Sequence, residues 1–216
     1  MTLWAIVPVK PLRRGKSRLA SVLSVYEREA LNQNMLRNTL SILTSLKEID
    51  QVLVVSRDSF VLSIAREFGT RTVLEEGCPK LNLALVRATY IAKAYSANSV
   101  MIIPADLPNL LPDDIVIFIH QGGNPPEVVI NPDRRLDGTN ALLVNPIGLI
   151  DYAFGPNSFH KHIQMTEKAN ARIKVCNLPS LAFDLDYPVD LEYLKQQGQE
   201  NVLLKYEKKY TLNIGG

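Results

Sequence analysis

Cysteine is scarce in this 216-residue sequence: Cys78 and Cys176 are far apart and neither has a CxxC partner. That count speaks against a disulfide framework and against structural zinc. No apolar run approaches the roughly 20 residues that span a bilayer. Met1 leads within two residues into the apolar run Leu3–Val9, with no basic segment and no small-residue cleavage site, so no signal peptide is expected. Excess charge is missing too. The net charge of +2 lies far from the basic surplus of a dedicated nucleic-acid binder, while leaving room for a local basic site. Neither GxxxxGK[ST] nor GxGxxG occurs, since only Gly15 precedes Lys16-Ser17; the common glycine-rich phosphate loops are therefore absent. With 46% apolar and 21% charged residues, the composition is that of a globular protein. A soluble, cytoplasmic chain is the expectation.

What remains is a regular alternation. Leu3–Val9 is a short continuous apolar run, as in a strand buried on both faces, with Pro8 at its far end where a lost ladder donor matters least. From about Val25 to Leu46, apolar residues recur at helical spacing through Leu31, Met35, Leu36, Leu43 and Leu46. Gln51–Ser56 reads as a strand, and Asp58 or Ser59 as the cap of a helix over Phe60–Phe68 that Gly69 closes. Further strands are predicted at Thr70–Leu74, Ser99–Pro104, Glu127–Ile130, Ala141–Val144 and Arg172–Cys176. Helices are predicted at Leu81–Tyr95, after the Leu111-Pro-Asp-Asp start, at Phe159–Ala171 and at Asp190–Gln196. This pattern implies a single Rossmann-like α/β domain over residues 1–216, with a mostly parallel sheet flanked by helices. The tail from Glu200 to Gly216 fits no element.

In such sheets ligands gather beyond the carboxyl ends of the strands. After the first strand comes Lys10-Pro-Leu-Arg-Arg-Gly-Lys-Ser-Arg18, five cations in nine residues with no acid. Its bland reading is a solvated loop; its position favours binding a strongly anionic group such as a triphosphate. Two acidic points follow. Asp106 stands just past Ser99–Pro104, placed for a hard cation such as Mg²⁺ or simply as a turn residue. In Phe183-Asp-Leu-Asp186, alternation puts Asp184 and Asp186 on one side of an extended segment, where they repel unless a cation sits between them. Asp186 or Asp190 serving only as a helix cap is the plainer alternative. Together, basic loop and carboxylates suggest metal-assisted phosphoryl or nucleotidyl transfer.

Six segments then occur in order: Val7–Leu19, Ser56-Arg-Asp58, Pro104-Ala-Asp-Leu-Pro108, Gly138-Thr-Asn-Ala-Leu142, Phe154-Gly-Pro-Asn-Ser158 and Asp184-Leu-Asp186. In this ordered combination the sequence resembles the phosphoenolpyruvate / 2-phospho-L-lactate guanylyltransferases of deazaflavin coenzyme F-420 biosynthesis, over about Leu3 to Leu194. The resemblance implies a nucleotidyltransferase fold of the glycosyltransferase-A type, an enzyme using GTP as substrate with Mg²⁺, and a three-carbon phospho-acid as acceptor. It implies small-molecule substrates, no nucleic-acid or membrane partner, and a homodimer by family habit. It places the acceptor on Thr139, Gly155 and Ser158 and the metal on Asp106, Asp184 and Asp186. It places the GTP on Lys10, Arg13, Lys16 and Arg18, and on Asn82 within the Gly77–Leu83 stretch beside the guanine. Lys16, Arg18 and Asp106 carry the chemistry in that picture. Many relatives read Ala-Lys-Ser/Thr-Arg where this chain has Gly15, which is expected to loosen the loop and touch affinity more than chemistry.

Residue chemistry is consistent with the acceptor residues. Gly138 permits a close backbone approach, Thr139 offers a hydroxyl and a backbone donor, and Ser158 is positioned to cap the helix near Phe159, whose free N–H groups attract anions. His160 and His162, at i and i+2, do not share a helix face and are expected at the surface or behind the ligand-binding residues. Two competing readings are a nucleotidyltransferase for a sugar phosphate or the molybdenum cofactor, and a non-catalytic nucleotide-binding regulatory subunit. The first usually carries an LAxGxGxR-like loop, which Val7–Arg18 lacks; the second predicts loss of the acidic points, yet Asp106, Asp184 and Asp186 are all present.

Overall fold

Apolar runs too short to form helices can bury their backbone polar groups only by pairing, and here they pair into one seven-stranded sheet. The computed structural model describes residues 2–77 and 79–196. Cys78 and the tail from Glu200 to Gly216 lie outside the described residues. The strands are β1 (Leu3–Val9), β2 (Gln51–Ser56), β3 (Arg71–Leu74), β4 (Ser99–Ile102), β5 (Glu127–Pro132), β6 (Thr139–Asn145) and β7 (Arg172–Val175). Between and after them come α1 (Val25–Ser45), α2 (Ser59–Glu67), α3 (Leu81–Ala94), α4 (Pro112–Gln121), α5 (Ser158–Lys168), α6 (Pro179–Ala182) and α7 (Pro188–Gln196). Among the described residues no helix is long and apolar enough to cross a membrane.

The strand order is β3-β2-β1-β4-β6-β5-β7, and β6 alone runs against its neighbours. The first three strands build outward from β1 on one side, and the chain then crosses to place β4 on the other. The carboxyl ends of β1 and β4 thus flank the point where the winding reverses, which is where open α/β sheets bind ligands. Because β6 is reversed and pairs Leu142 with Ile102, its first residue, Thr139, comes to the same sheet edge as the carboxyl end of β4.

Two large cores follow from the alternation along the strands. Ala5, Val7, Val52 and Val54 face α1, α2 and α4 through Leu36, Leu40, Ile64 and Phe118. Trp4, Ile6, Leu53 and Ile102 face the other way, onto α3 and α5 through Leu85, Ala88 and Phe159. A capping box starts α1, with Ser24 and Glu27 each bonding the other's backbone N–H. Asp58 caps α2 as anticipated. Ser158 does not cap α5. The cap position belongs to Asn157, in a left-handed conformation at φ 57°, and Ser158 is the first helical residue.

A third, smaller core decides where the acidic segment lies. Leu19, Leu31 and Met35 pack with Phe183, Leu185, Leu191 and Leu194. Phe183 and Leu185 point inward, so the alternate residues Asp184 and Asp186 are directed away from this core. Asp190 fastens the end of the segment. Its carboxylate is 2% exposed, accepts the N–H groups of Asp186 (3.0 Å) and Tyr187 (2.7 Å), and pairs with Arg134 at 2.7 Å. Replacing Asp190 by Ala strands these donors, and the expected loss is about 2–4 kcal/mol of stability by urea denaturation. A loss below about 0.5 kcal/mol, the range of an ordinary surface change, would show that the segment is held by its apolar residues alone.

Candidate active site

The chain leaving β1 makes two short 3-10 turns, Leu12–Arg14 and Ser17–Leu19, with Lys16 between them in a left-handed conformation at φ 54°. Such backbone costs energy for a residue with a Cβ, and tends to persist where the side chain is needed in one place. Here that place is between two carboxylates. The Lys16 ammonium donates to Asp106 Oδ2 at 2.7 Å and to Asp186 Oδ1 at 3.0 Å, and its side chain is only 4% exposed. Arg18 Nη1 reaches the other oxygen of Asp186 at 3.1 Å, while its guanidinium lies 4.8 Å from the Tyr187 ring centre.

Charge and burial act together in this cluster. Burial alone pushes the Lys16 ammonium down, but the charges of Asp106 and Asp186 outweigh it and leave its pKa raised. Asp106 is the mirror image: burial pushes its carboxyl up, Lys16 overrides that, and the net shift is downward. Asp184 receives no such relief. Its burial, then the charges of Asp106 and Asp186, push its carboxyl up. The three acids expected to hold a metal therefore do share one electrostatic site, with Lys16 as the cation among them. Among the described residues no three ligands stand together at metal-binding spacing. All three offer hard carboxylate oxygens, the donor type that suits Mg²⁺.

Beside this cluster opens a cavity of about 440 Å³, within the range of small-ligand sites. Lys10, Lys16, Asp106, Asp186, Arg57 and Lys80 contribute its polar wall. Arg13, expected on the nucleotide, turns away: it pairs with Glu29 at 2.9 Å beside a separate surface depression. Asn82 does not line the cavity either. Its amide clasps the backbone of Phe154, accepting from Phe154 N at 2.8 Å and donating to Phe154 O at 3.2 Å. A residue expected beside the base thus holds the loop that carries Gly155.

That loop and the start of β6 carry the residues expected on the acceptor, Thr139, Gly155 and Ser158, none of which lines the cavity. Gly155 takes φ 126°, a conformation that requires glycine. The Thr139 N–H, expected to be free, donates to Ser158 Oγ at 2.9 Å. The first N–H groups of α5 are likewise engaged, Ser158 N by Gly155 O and Phe159 N by Asp137 O. His162 is no surface residue. It is fully buried and contacts Thr139 Oγ1 through Nδ1 at 2.9 Å, while His160 is exposed. Asn140, next along β6, is 7% exposed and its amide nitrogen has no hydrogen-bond partner.

Residues 3–215 match the family described as "Guanylyl transferase CofC like". A phosphoenolpyruvate guanylyltransferase from Rubrobacter xylanophilus is 41% identical over 198 residues, covering 92% of this chain and 96% of that protein. A 3-phospho-D-glycerate guanylyltransferase from Colwellia psychrerythraea is 32% identical over 193 residues, covering 88% and 89%. The chain belongs to this guanylyl transferase family. Its fold is shared more widely: a nucleotide-diphospho-sugar transferase structure from Desulfovibrio desulfuricans superposes with a TM-score of 0.74 at 14% identity, covering 95% of this chain and 99% of that one.

This guanylyl transferase keeps its basic loop tight rather than loose. Gly15 has ordinary extended backbone, φ −67° and ψ 155°, so it is not required for flexibility. A Cβ there would stand 2.5 Å from Asn32 Nδ2, the group that donates to Leu12 O at 2.7 Å and pins the turn to α1. Gly15→Ala must displace that amide, at an expected cost of about 1 kcal/mol by thermal denaturation. In an Asn32→Ala background the same change should cost almost nothing; equal losses in both backgrounds would contradict the contact.

Proposed function

We propose that the enzyme transfers GMP from GTP to phosphoenolpyruvate or 2-phospho-L-lactate, forming a GDP-linked three-carbon acid and pyrophosphate for coenzyme F-420 biosynthesis. The observation that carries the reading is the Lys16 ammonium shared by Asp106 and Asp186 at the reversal point of the sheet, beside a cavity of nucleotide size. Guanine as the base is supported by the names of the relatives, and the pathway by the sequence resemblance.

The acceptor phosphate is ionised near neutral pH, so its oxygen attacks the α-phosphorus without a general base. That O–P bond forms as the bond from the α-phosphorus to the bridging oxygen of the β-phosphate breaks, and pyrophosphate departs with the electron pair. Lys10, Lys16 and Arg18 hold the phosphates and offset the charge that grows on the leaving group. Thr139, Gly155 and Ser158 orient the acceptor. Asp106, Asp184 and Asp186 would hold Mg²⁺, which supplies Lewis-acid polarisation of the phosphates when bound. Action in the cytoplasm, and a homodimeric state, belong to the same proposal.

Incubation with GTP, Mg²⁺ and each of phosphoenolpyruvate, 2-phospho-L-lactate and 3-phospho-D-glycerate, followed by mass spectrometry, tests it. A GDP-linked product is expected from one of the first two, and Asp106→Asn should lower turnover by about 100-fold or more with native far-UV circular dichroism. Product from CTP or UTP only, or from 3-phospho-D-glycerate only, would overturn the substrate assignment. Near-normal turnover in Asp106→Asn would remove that residue from the mechanism.

A further inference from the structure

We propose that His162 is a positioning residue that forces the Thr139 hydroxyl to act as a hydrogen-bond donor toward the acceptor acid. The inference rests on the reading that Thr139 faces that acceptor, and it follows from counting hydrogens around one imidazole. The backbone N–H of Ala153 donates to His162 Nε2 at 3.0 Å. An amide N–H has no alternative role, so Nε2 must present its lone pair. In a neutral ring the proton then sits on Nδ1, 2.9 Å from Thr139 Oγ1. Nδ1–H donates, Thr139 Oγ1 accepts, and the hydroxyl's own hydrogen is turned elsewhere.

Surrounding groups keep the ring in that state. His162 is 0% exposed, and Phe154 stands edge-on to it with ring centres 4.9 Å apart. Burial, assisted by Lys161, pushes its pKa down to about 4, so the imidazole stays neutral at physiological pH. The ring is held from two sides of the site: Ala153 begins the loop that Asn82 clasps, and Thr139 opens β6.

The remaining hydrogen has few places to go. The Thr139 N–H is taken by Ser158, and no other protein partner of Thr139 Oγ1 exists among the described residues. A three-carbon phospho-acid presents only acceptor oxygens on its phosphate and carboxylate. A hydroxyl free to rotate would offer such a ligand its lone pairs part of the time; a hydroxyl already accepting from His162 offers its hydrogen. The histidine thereby presents a donor without adding a charge that would hold the product.

The tautomer is read directly from ¹⁵N–¹H correlation spectra of the full-length protein without substrates. A protonated Nδ1 and an unprotonated Nε2 for His162 at pH 7 are expected; the reverse assignment overturns the proposal, whatever the variants do. In steady-state assays, Thr139→Val and His162→Leu should each raise the acceptor KM roughly ten- to a hundred-fold, the loss of one hydrogen bond to a charged group. The KM for GTP should move less than about two-fold under the same reasoning. His162→Asn, whose amide nitrogen can stand in for Nδ1–H, should recover most of the loss. Equal losses in the Leu and Asn variants, or unchanged acceptor KM in Thr139→Val, would overturn the proposal while leaving wild-type guanylyl transfer intact. Absence of product from the wild-type enzyme with any three-carbon phospho-acid would instead sink the functional reading itself.

Discussion

A single ammonium group joins three distant parts of the chain. Lys16 lies 90 residues from Asp106 and 170 from Asp186, yet its Nζ is within 3.0 Å of a carboxylate oxygen of each. Removing such a charge from water is costly, and only close, well-aligned partners offset that cost. Both partners are present, and the raised pKa of Lys16 together with the lowered pKa of Asp106 records the mutual stabilisation. The left-handed backbone at Lys16 is tolerated because this contact, the turns on either side and the Asn32–Leu12 bond all specify it together.

The contact needs a sheet that brings the segments together. Strands β1 and β4 are parallel neighbours, so the loops carrying Lys16 and Asp106 leave the same edge side by side. The small core of Leu19, Phe183 and Leu185 then lays the Asp184–Asp186 segment across them. Strand β6 completes the arrangement by running backwards: its first residue, not its last, reaches the edge where β1 and β4 end, and brings Thr139 there. The Lys16 loop after β1 and Thr139 at the start of β6 therefore lie on opposite sides of β4.

Much of this was legible in the sequence, because it depends on local periodicity. Buried strands showed as apolar runs, and the Phe-Asp-Leu-Asp alternation correctly placed two carboxylates opposite two core residues. The sequence also called for a cation between Asp184 and Asp186; the structure instead brings Lys16 between Asp106 and Asp186. What failed was partner choice at long range. Arg13 and Arg18 look alike within the basic loop, and only the packing of α1 reveals that Glu29 claims the former. Asn82 and Phe154 are 72 residues apart, and no spacing rule links them. Expecting His160 and His162 at the surface or behind the ligand-binding residues left open which is which; the structure exposes His160 and buries His162 against Thr139. Phe159, His162 and Thr166, at i, i+3 and i+7, mark one helix face, and all three are buried. That signal was available.

Lys16 and Asp186, if they meet as described, are energetically coupled. A double-mutant cycle with Lys16→Met and Asp186→Asn, measured by urea denaturation in metal-free buffer, tests that coupling directly. A coupling energy of about 1 kcal/mol or more is expected, with the double variant less destabilised than the sum of the single ones. Strictly additive losses would contradict it, since they would mean that the two groups do not meet in solution.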